Sequence, residues 1–349
     1  MRSMSERRTI EWVRGHVRMI DQTRLPGRLI YVNLEDYRQV SRAIRNMVIR
    51  GAPAIGVAAA MGMALAAKAN RNKSRELLLN ALEVAAETLK ASRPTAQNLF
   101  WAVDRVLRQG RDAPSGADVA EIVIEEAKRI AEEDVQACLS LGKFGAALFE
   151  DGDQVLTHCN TGTLAAVNYG TALAPIRTAV RQGKKVRVIA TETRPRLQGA
   201  KLTTYELLSD KIPVTLIVDG AVGYVMKSGM VQKAIVGADH ITTKYVANKV
   251  GTYMIALAAR ANQIPFYVAA PSSTFDLHRD SSELKIEQRD AKEVTFVNGR
   301  RIAPRGVAVY NPAFDLTPLD LVSGFVTERG VFGPADLTAD PSIVESSQA

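Results

Sequence analysis

The chain has 349 residues, 46% of them apolar and 6% aromatic, which suits one or two globular domains and excludes a disordered or low-complexity protein. Its formal net charge of +8 comes from 45 Lys and Arg dispersed among 37 acidic residues, a distribution that argues against a nucleic-acid surface. Two cysteines and an N-terminus (MRSMSERRTIEW) without an apolar core argue against a disulfide framework and an export signal, and place the protein in a reducing compartment, the cytoplasm.

Taken in chain order, EWVRGHVRMIDQTRLP and RLIYVNL carry a β-like pattern. Five segments with helical apolar spacing follow: SRAIRNMVIRG, PAIGVAAAMGMALAAKAN, SRELLLNALEVAAETLKAS, AQNLFWAVDRVLRQG and ADVAEIVIEEAKRIAEEDVQACLSLGKFGAALF. The run Ala52–Ala67 is mostly Ala and Gly, too short and too weakly hydrophobic to cross a bilayer, so it reads as a buried helix. Gly110–Gly116, containing Pro114, is a turn. Near Glu150–Asp153 the pattern changes. QVLTHC, KVRVIATE, VTLIVD, KAIVGAD and PFYVAAP are strand-like runs separated by helical patterns, and they stop on Cys159, Glu192, Asp219, Asp239 and Pro271. Val- and Ile-rich strands alternating with helices predict an α/β fold with a parallel sheet covered on both faces. Such sheets bind ligands just outside the carboxyl ends of their strands. The division expected is 1–130, a β-ribbon with a mainly helical domain; 131–340, the sheet domain; and 341–349, a polar tail that frays with the sequence after about 335.

Cys159 closes its strand and runs into Asn160-Thr-Gly-Thr163 and a helical stretch expected near Leu164. A helix start there favours a thiolate, whereas a lone cysteine is more often a small buried hydrophobe, the role read for Cys138. His158 is a poor base for Cys159, because neighbouring strand residues point to opposite faces. Asp239 follows Gly237-Ala238, whose small side chains leave room for a carboxyl group suited to general acid work, or simply for a loop carboxylate. Arg50-Gly51-Ala52-Pro53 reads as a tight turn into a helix, with Pro53 at its first position; a guanidinium beside exposed helix-end amides suits a phosphate. Arg93-Pro94-Thr95 offers a second guanidinium at a helix start. Asn248-Lys249 opens the helix after the Asp239 strand, and Gln198-Gly199 leads from a polar connection into another. The basic cluster Arg177, Arg181, Lys184, Lys185 and Arg187 reads as a solvated face or an attraction for anionic substrates. GxGxxG, GxxxxGK[ST] and GxSxG are absent, and four scattered histidines with two distant cysteines give no metal-ligand spacing, so no cofactor or metal is expected. One thiol, one carboxylate and several phosphate donors suggest acid/base chemistry, such as isomerisation, on a small phosphorylated molecule.

Ten segments in order, RTIEWV…VRMIDQTRLP, VIRGAPAIGVAAA, RPTAQNLFWAVDR, LTHCNTGTLA, ETRPRLQGAKLT, VTLIVD, IVGADH, NKVGTYMIALAA, IPFYVAAPSSTFD and VYNPAFDLTP, resemble the methylthioribose-1-phosphate isomerase family from about residue 8 to 333. The superfamily also holds ribose-1,5-bisphosphate isomerase, deoxyribose-type relatives and regulatory subunits of the exchange factor for translation initiation factor two. The resemblance implies a Rossmann-like C-terminal domain, a smaller helical N-terminal domain, a homodimer, and conversion of 5-methylthioribose 1-phosphate to 5-methylthioribulose 1-phosphate in methionine salvage. It implies Cys159 and Asp239 as the catalytic pair and Arg50, Gly51, Ala52, Arg93, Gln198, Asn248 and Lys249 as substrate contacts. Membranes and nucleic acid are not expected partners. The chain departs from the family at His240 and the loop after it, at Thr191, and at Thr161 and Thr163, which bears on the C5 substituent of the sugar. Two alternatives stand beside this reading: an isomerase of ribose 1,5-bisphosphate or 5-deoxyribose 1-phosphate, and a non-catalytic regulatory subunit.

Overall fold

The computed structural model describes residues 3–94, 96–277 and 286–344. The chain divides into two compact units, one of Met1–Ser140 with Thr161–Leu173 and the other of Leu141–Asn160 with Ala174–Ala349.

In the first unit the opening residues form an antiparallel meander, β1 (Ile10–Val13), β2 (His16–Ile20) and β3 (Tyr31–Leu34). Helices α1 (Tyr37–Arg45), α2 (Ala52–Ala69), α3 (Arg75–Lys90) and α4 (Gln97–Asp112) follow, then α5 (Val119–Gly145), whose residues to Ser140 count with this unit. α1 starts earlier than its apolar spacing suggests because Asp36 caps it, accepting the Arg38 N–H. It ends earlier because Met47 adopts a left-handed φ of 59°, which no helix continues through. α2 has no polar face, and Ala54 to Ala67 are buried as the centre of the unit's core. By length and composition α2 passes as a membrane span, yet its small side chains serve to let α1, α3 and α4 approach closely.

In the second unit all five strand-like runs form strands: β4 (Gln154–Thr157), β5 (Arg187–Thr191), β6 (Val214–Ile217), β7 (Lys233–Val236) and, after the hairpin β8 (His240–Ile241) and β9 (Tyr245–Lys249), β10 (Phe266–Ala269). Beyond them lie β11 (Phe296–Val297), β12 (Arg300–Arg301), β13 (Phe314–Pro318), β14 (Gly324–Thr327) and β15 (Gly330–Phe332). The main sheet runs β15-β14-β10-β7-β4-β5-β6, parallel except for β15. Counted along the chain, its six parallel strands follow the order 3-2-1-4-5-6 of dinucleotide-binding folds, reversing direction between β4 and β7. The protein is therefore α/β, with a Rossmann-like sheet unit and a mainly helical one. β14 and β15 escaped the sequence reading because runs of four and three residues that begin with Gly carry little periodic signal.

Three expectations are corrected. The helix expected near Leu164 is a single 3-10 turn, Thr163–Ala165, and the next α-helix, α6 (Leu173–Arg181), begins well beyond it, so the helix start expected at Leu164 after Cys159 does not form. The chain after 335 is not frayed through Val344: α7 (Thr204–Ser209), α8 (Val222–Lys227), α9 (Thr252–Ala261) and α10 (Lys292–Thr295) are followed by α11 (Pro334–Ala339), and Leu337 and Val344 are buried in the second unit's core. Residues 345–349 of the expected tail lie outside the described residues. The basic cluster is not a uniformly solvated face. Arg177 is fully buried, and the Lys184 ammonium donates to the carbonyls of Ala146 (2.9 Å) and Phe149 (2.7 Å).

Candidate active site

In the second unit, Leu156 of β4 lies opposite Ala234 of β7. Two residues past the end of β4 the chain reaches Cys159, and three past the end of β7 it reaches Asp239. Adjacent strands lie about 4.8 Å apart, so the thiol and carboxylate residues leave the same end of the sheet on either side of the switch point.

Cys159 is 8% exposed and holds a left-handed φ of 62°. A non-glycine residue in that region costs about 1–3 kcal/mol and persists only where its surroundings fix it. Here both backbone groups are taken by side chains: the Cys159 N–H donates to Thr193 Oγ1 (2.9 Å), and the Thr203 hydroxyl donates to the Cys159 carbonyl (2.6 Å). The Asn160 side-chain amide then donates to Glu206 (2.8 Å) and, more weakly, to Thr203 (3.3 Å). Glu206 and Asp210 in turn accept from Arg177, each at 2.7 Å. Burial opposes the Arg177 charge, but the two carboxylates outweigh it and hold the guanidinium above its ordinary value. The most basic stretch of the sequence thus contributes a buried brace behind Asn160, not an anion site, at Arg177.

Asp239 is half-buried, and its N–H donates to the Ala247 carbonyl (3.0 Å). Because His240 pairs with Ala247 in the β8–β9 hairpin, Asn248 stands opposite Asp239 and Lys249 one residue further. Asn248 and Lys249 therefore end a strand; they do not open a helix, since α9 starts at Thr252 with Gly251 as its N-cap. Lys249 is 8% exposed, and its ammonium donates to the Ala313 carbonyl (2.6 Å) and lies 5.2 Å from the centre of the Phe314 ring. On the other side of β9, Asp315 pairs with Asn248 and accepts the N–H groups of Gly251 (2.7 Å) and Tyr253 (3.2 Å). Burial pushes Asp315 up to about 6, against the pull of those N–H groups and of Lys249. His240 Nε2 lies 3.7 Å from the Asp276 carboxylate.

Gln198 sits on the connection after β5. A Cβ on Gly199 would fall 1.8 Å from the Thr191 carbonyl oxygen, so only glycine lets this connection close onto the strand end. Gln198 is 8% exposed, and its side-chain oxygen has no hydrogen-bond partner among the described residues. A buried acceptor left unpaired costs about 1–3 kcal/mol, which a hydroxyl donor on a ligand would relieve.

The first unit carries the remaining candidates. Gly51 has a φ of 93°, and a Cβ there would meet Ala165 Cα and O at 2.5 Å. Ala52 is the first residue of α2, Pro53 its second, and no side chain caps the helix. Arg93 Nη1 lies 3.6 Å from the sulfur of Met47, three residues before Arg50, which brings the two arginine-bearing turns together. Thr95 lies outside the described residues. The segment Thr161–Leu173 is fastened in this unit. Asp134 accepts the Val167 N–H (2.7 Å), and Thr9 and Gln22 donate to the carbonyls of Thr163 and Leu164 (2.7 Å each). Arg50, Gly51, Ala52 and Arg93 are thus gathered in one unit, and Cys159, Asp239, Gln198, Asn248 and Lys249 in the other.

Sequence reasoning missed Thr193, Thr203 and Asp315, which hold site segments through hydrogen bonds that no spacing rule reveals. It rejected His158 as a base, and the ring is indeed engaged elsewhere, bonded to Thr191 Oγ1 (2.6 Å) and to the Val250 carbonyl (2.9 Å). Burial pushes its pKa down to about 4.

Residues 48–334 match the model of the initiation factor 2 subunit family. The chain is 51% identical over 336 residues to a methylthioribose-1-phosphate isomerase of Geobacter metallireducens, covering 95% of this chain and 97% of that one. Its fold superposes with a TM-score of 0.89 on the crystal structure of 5-methylthioribose 1-phosphate isomerase from Pyrococcus horikoshii, at 41% identity over 95% of each chain. It also superposes with a TM-score of 0.87 on a structure described as translation initiation factor eIF-2B, subunit delta, from A. fulgidus, at 46% identity over 97% of this chain and 99% of that one.

Proposed function

The chain belongs to the methylthioribose-1-phosphate isomerases, within the initiation factor 2 subunit family, and we propose that it converts 5-methylthioribose 1-phosphate to 5-methylthioribulose 1-phosphate, a step of methionine salvage. The observation that carries this reading is the placement of Cys159 and Asp239 at the carboxyl ends of the adjacent strands β4 and β7.

A phosphate on the anomeric oxygen stops the sugar from opening by itself, so the enzyme must open the ring. In this proposal the Asp239 carboxyl group protonates the ring oxygen, and the bond from that oxygen to C1 breaks. The hydrogen on C2 then moves to C1 while the C2 hydroxyl gives up its proton and becomes the ketone. One route passes the hydrogen as a proton through an enediol with Cys159 as base. The other passes it as a hydride to the cationic C1, with Cys159 assisting. In both, the carboxylate recovers a proton and no external oxidant or reductant is consumed. Arg50 and Arg93, with the helix-end amides of Gly51 and Ala52, are assigned the phosphate. Gln198, Asn248 and Lys249 are assigned the sugar hydroxyls and the developing charge, and a homodimer is the expected assembly.

The test is a phosphorus NMR time course of the purified protein with 5-methylthioribose 1-phosphate, 5-deoxyribose 1-phosphate and ribose 1,5-bisphosphate in separate samples. Ketose formation fastest from the methylthio sugar supports the reading. Faster turnover of another sugar moves the substrate, and no turnover of any of the three favours a regulatory subunit.

A further inference from the structure

We infer that His158 is a positioning residue: a neutral imidazole that fastens the Cys159 backbone, through Thr191 and Thr193, to the Val250 end of the Asn248–Lys249 segment. The inference rests on the reading of Cys159 as the reacting thiol.

The hydrogens in this chain of contacts can be assigned one by one. The Val250 carbonyl can only accept, so at 2.9 Å the His158 Nε2 carries a proton and donates it. In a neutral ring Nδ1 is then an acceptor, and the Thr191 hydroxyl 2.6 Å away donates to it. Having spent its proton, Thr191 Oγ1 accepts from the Thr193 hydroxyl at 3.1 Å, and the Thr191 carbonyl is a longer second acceptor for that hydroxyl at 3.4 Å. Thr193 Oγ1 accepts the Cys159 N–H at 2.9 Å. Four hydrogen bonds therefore point one way, from the thiol-bearing residue to the connection that follows Lys249. Every side chain in the chain of contacts is buried: His158 is 1% exposed, and Thr191 and Thr193 are fully enclosed.

Burial is the largest influence on the ring and disfavours its charged form; the Val250 carbonyl and Asp219 favour protonation, and Lys249 opposes it. Asp219 also accepts the N–H groups of Thr193 (2.8 Å) and Arg194 (2.7 Å), so it braces the same turn. A proton added at Nδ1 would replace an acceptor with a second donor facing the Thr191 hydroxyl. That hydroxyl would have to rotate, and the order of the two threonines would reverse. The reversal would change the hydroxyl that accepts the N–H of Cys159, a residue held at a left-handed φ of 62°.

Two measurements decide the matter. Long-range proton–nitrogen NMR of the imidazoles, with His158 assigned by loss of its signals in His158→Gln, should show a neutral Nε2–H ring at pH 7. An imidazolium or an Nδ1–H ring overturns the inference. The second compares Thr191→Val with Thr191→Ser, reading kcat, KM and the rate of Cys159 alkylation by iodoacetamide. Removing the hydroxyl should lower kcat about tenfold with KM little changed, the scale of one buried hydrogen bond, and should alter the alkylation rate. Thr191→Ser should restore both. Wild-type behaviour of Thr191→Val, or equal loss in both variants, contradicts a positioning role for the hydroxyl. If the wild-type protein turns over no sugar, the functional reading fails by itself, while the tautomer and alkylation readouts still decide the role of His158.

Discussion

The two units fix their candidate residues by different physics. In the first, Arg50, Gly51, Ala52 and Arg93 stand at helix ends whose positions follow from close contact of small groups: a glycine against Ala165, a methionine sulfur against Arg93, and α2 built of Ala and Gly. In the second, Cys159, Asn160, Asp239 and Lys249 stand at strand ends held by directed hydrogen bonds: to Thr193, Glu206, Ala247 and Ala313 as acceptors, and from the Thr203 hydroxyl. A unit set by contact fails when a side chain grows; a unit set by hydrogen bonds fails when a donor, an acceptor or a protonation state is lost.

The largest stability effect should come from the buried ion group. Arg177→Met removes the buried guanidinium that Glu206 and Asp210 share and should cost about 3–5 kcal/mol, read by urea denaturation. Asn160 should lose its fixed rotamer with it.

Next comes acid. His158 takes a proton near 6.5 when unfolded but only near 4 when folded, so its contribution is complete above about pH 6.5 and is lost as pH falls toward 4. For a fully buried ring that amounts to about 3 kcal/mol. Asp315 runs the other way: raised to about 6, it withdraws stability as pH climbs from about 4 to 6. Subtracting the pH profile of His158→Gln from that of the wild type isolates the histidine, and a flat difference between pH 4 and 6.5 would contradict its neutral burial.

Gly51→Ala tests the contact-set unit. The added Cβ meets Ala165 at a φ that disfavours any side chain, and about 1–3 kcal/mol should be lost, with weaker binding of inorganic phosphate or sugar phosphate by calorimetry. A variant as stable and as retentive of phosphate as the wild type would remove that turn from the site. The smallest effect should be Asp315→Ala, which uncaps α9 at a cost of about 1 kcal/mol in thermal unfolding.

The same division governs what the sequence revealed. Five strands ended within three residues of the ends of their Val- and Ile-rich runs, and the residues at those ends were identifiable because parallel sheets place ligands there. The buried helix α2 was equally plain, since it lacks any polar face. Thr193 and Thr203 were not legible as supports of Cys159, because side chain–backbone hydrogen bonds join positions far apart in the chain and follow no period. Arg177 was misread for a related reason: a charge looks solvated until its two carboxylates, Glu206 and Asp210, are brought beside it by folding. The helix expected at Leu164 failed because carbonyls of that segment are taken by Thr9 and Gln22, which leaves a single 3-10 turn.

Cys159 and Asp239 are proposed to act together, and the most direct measurement is the turnover of 5-methylthioribose 1-phosphate by wild-type protein, Cys159→Ser and Asp239→Asn, with matched circular dichroism spectra. Each substitution should lower kcat by about 10²–10⁴-fold while the fold is retained. Turnover within a fewfold of wild type in either variant would contradict the assignment of the strand-end pair as the catalytic groups.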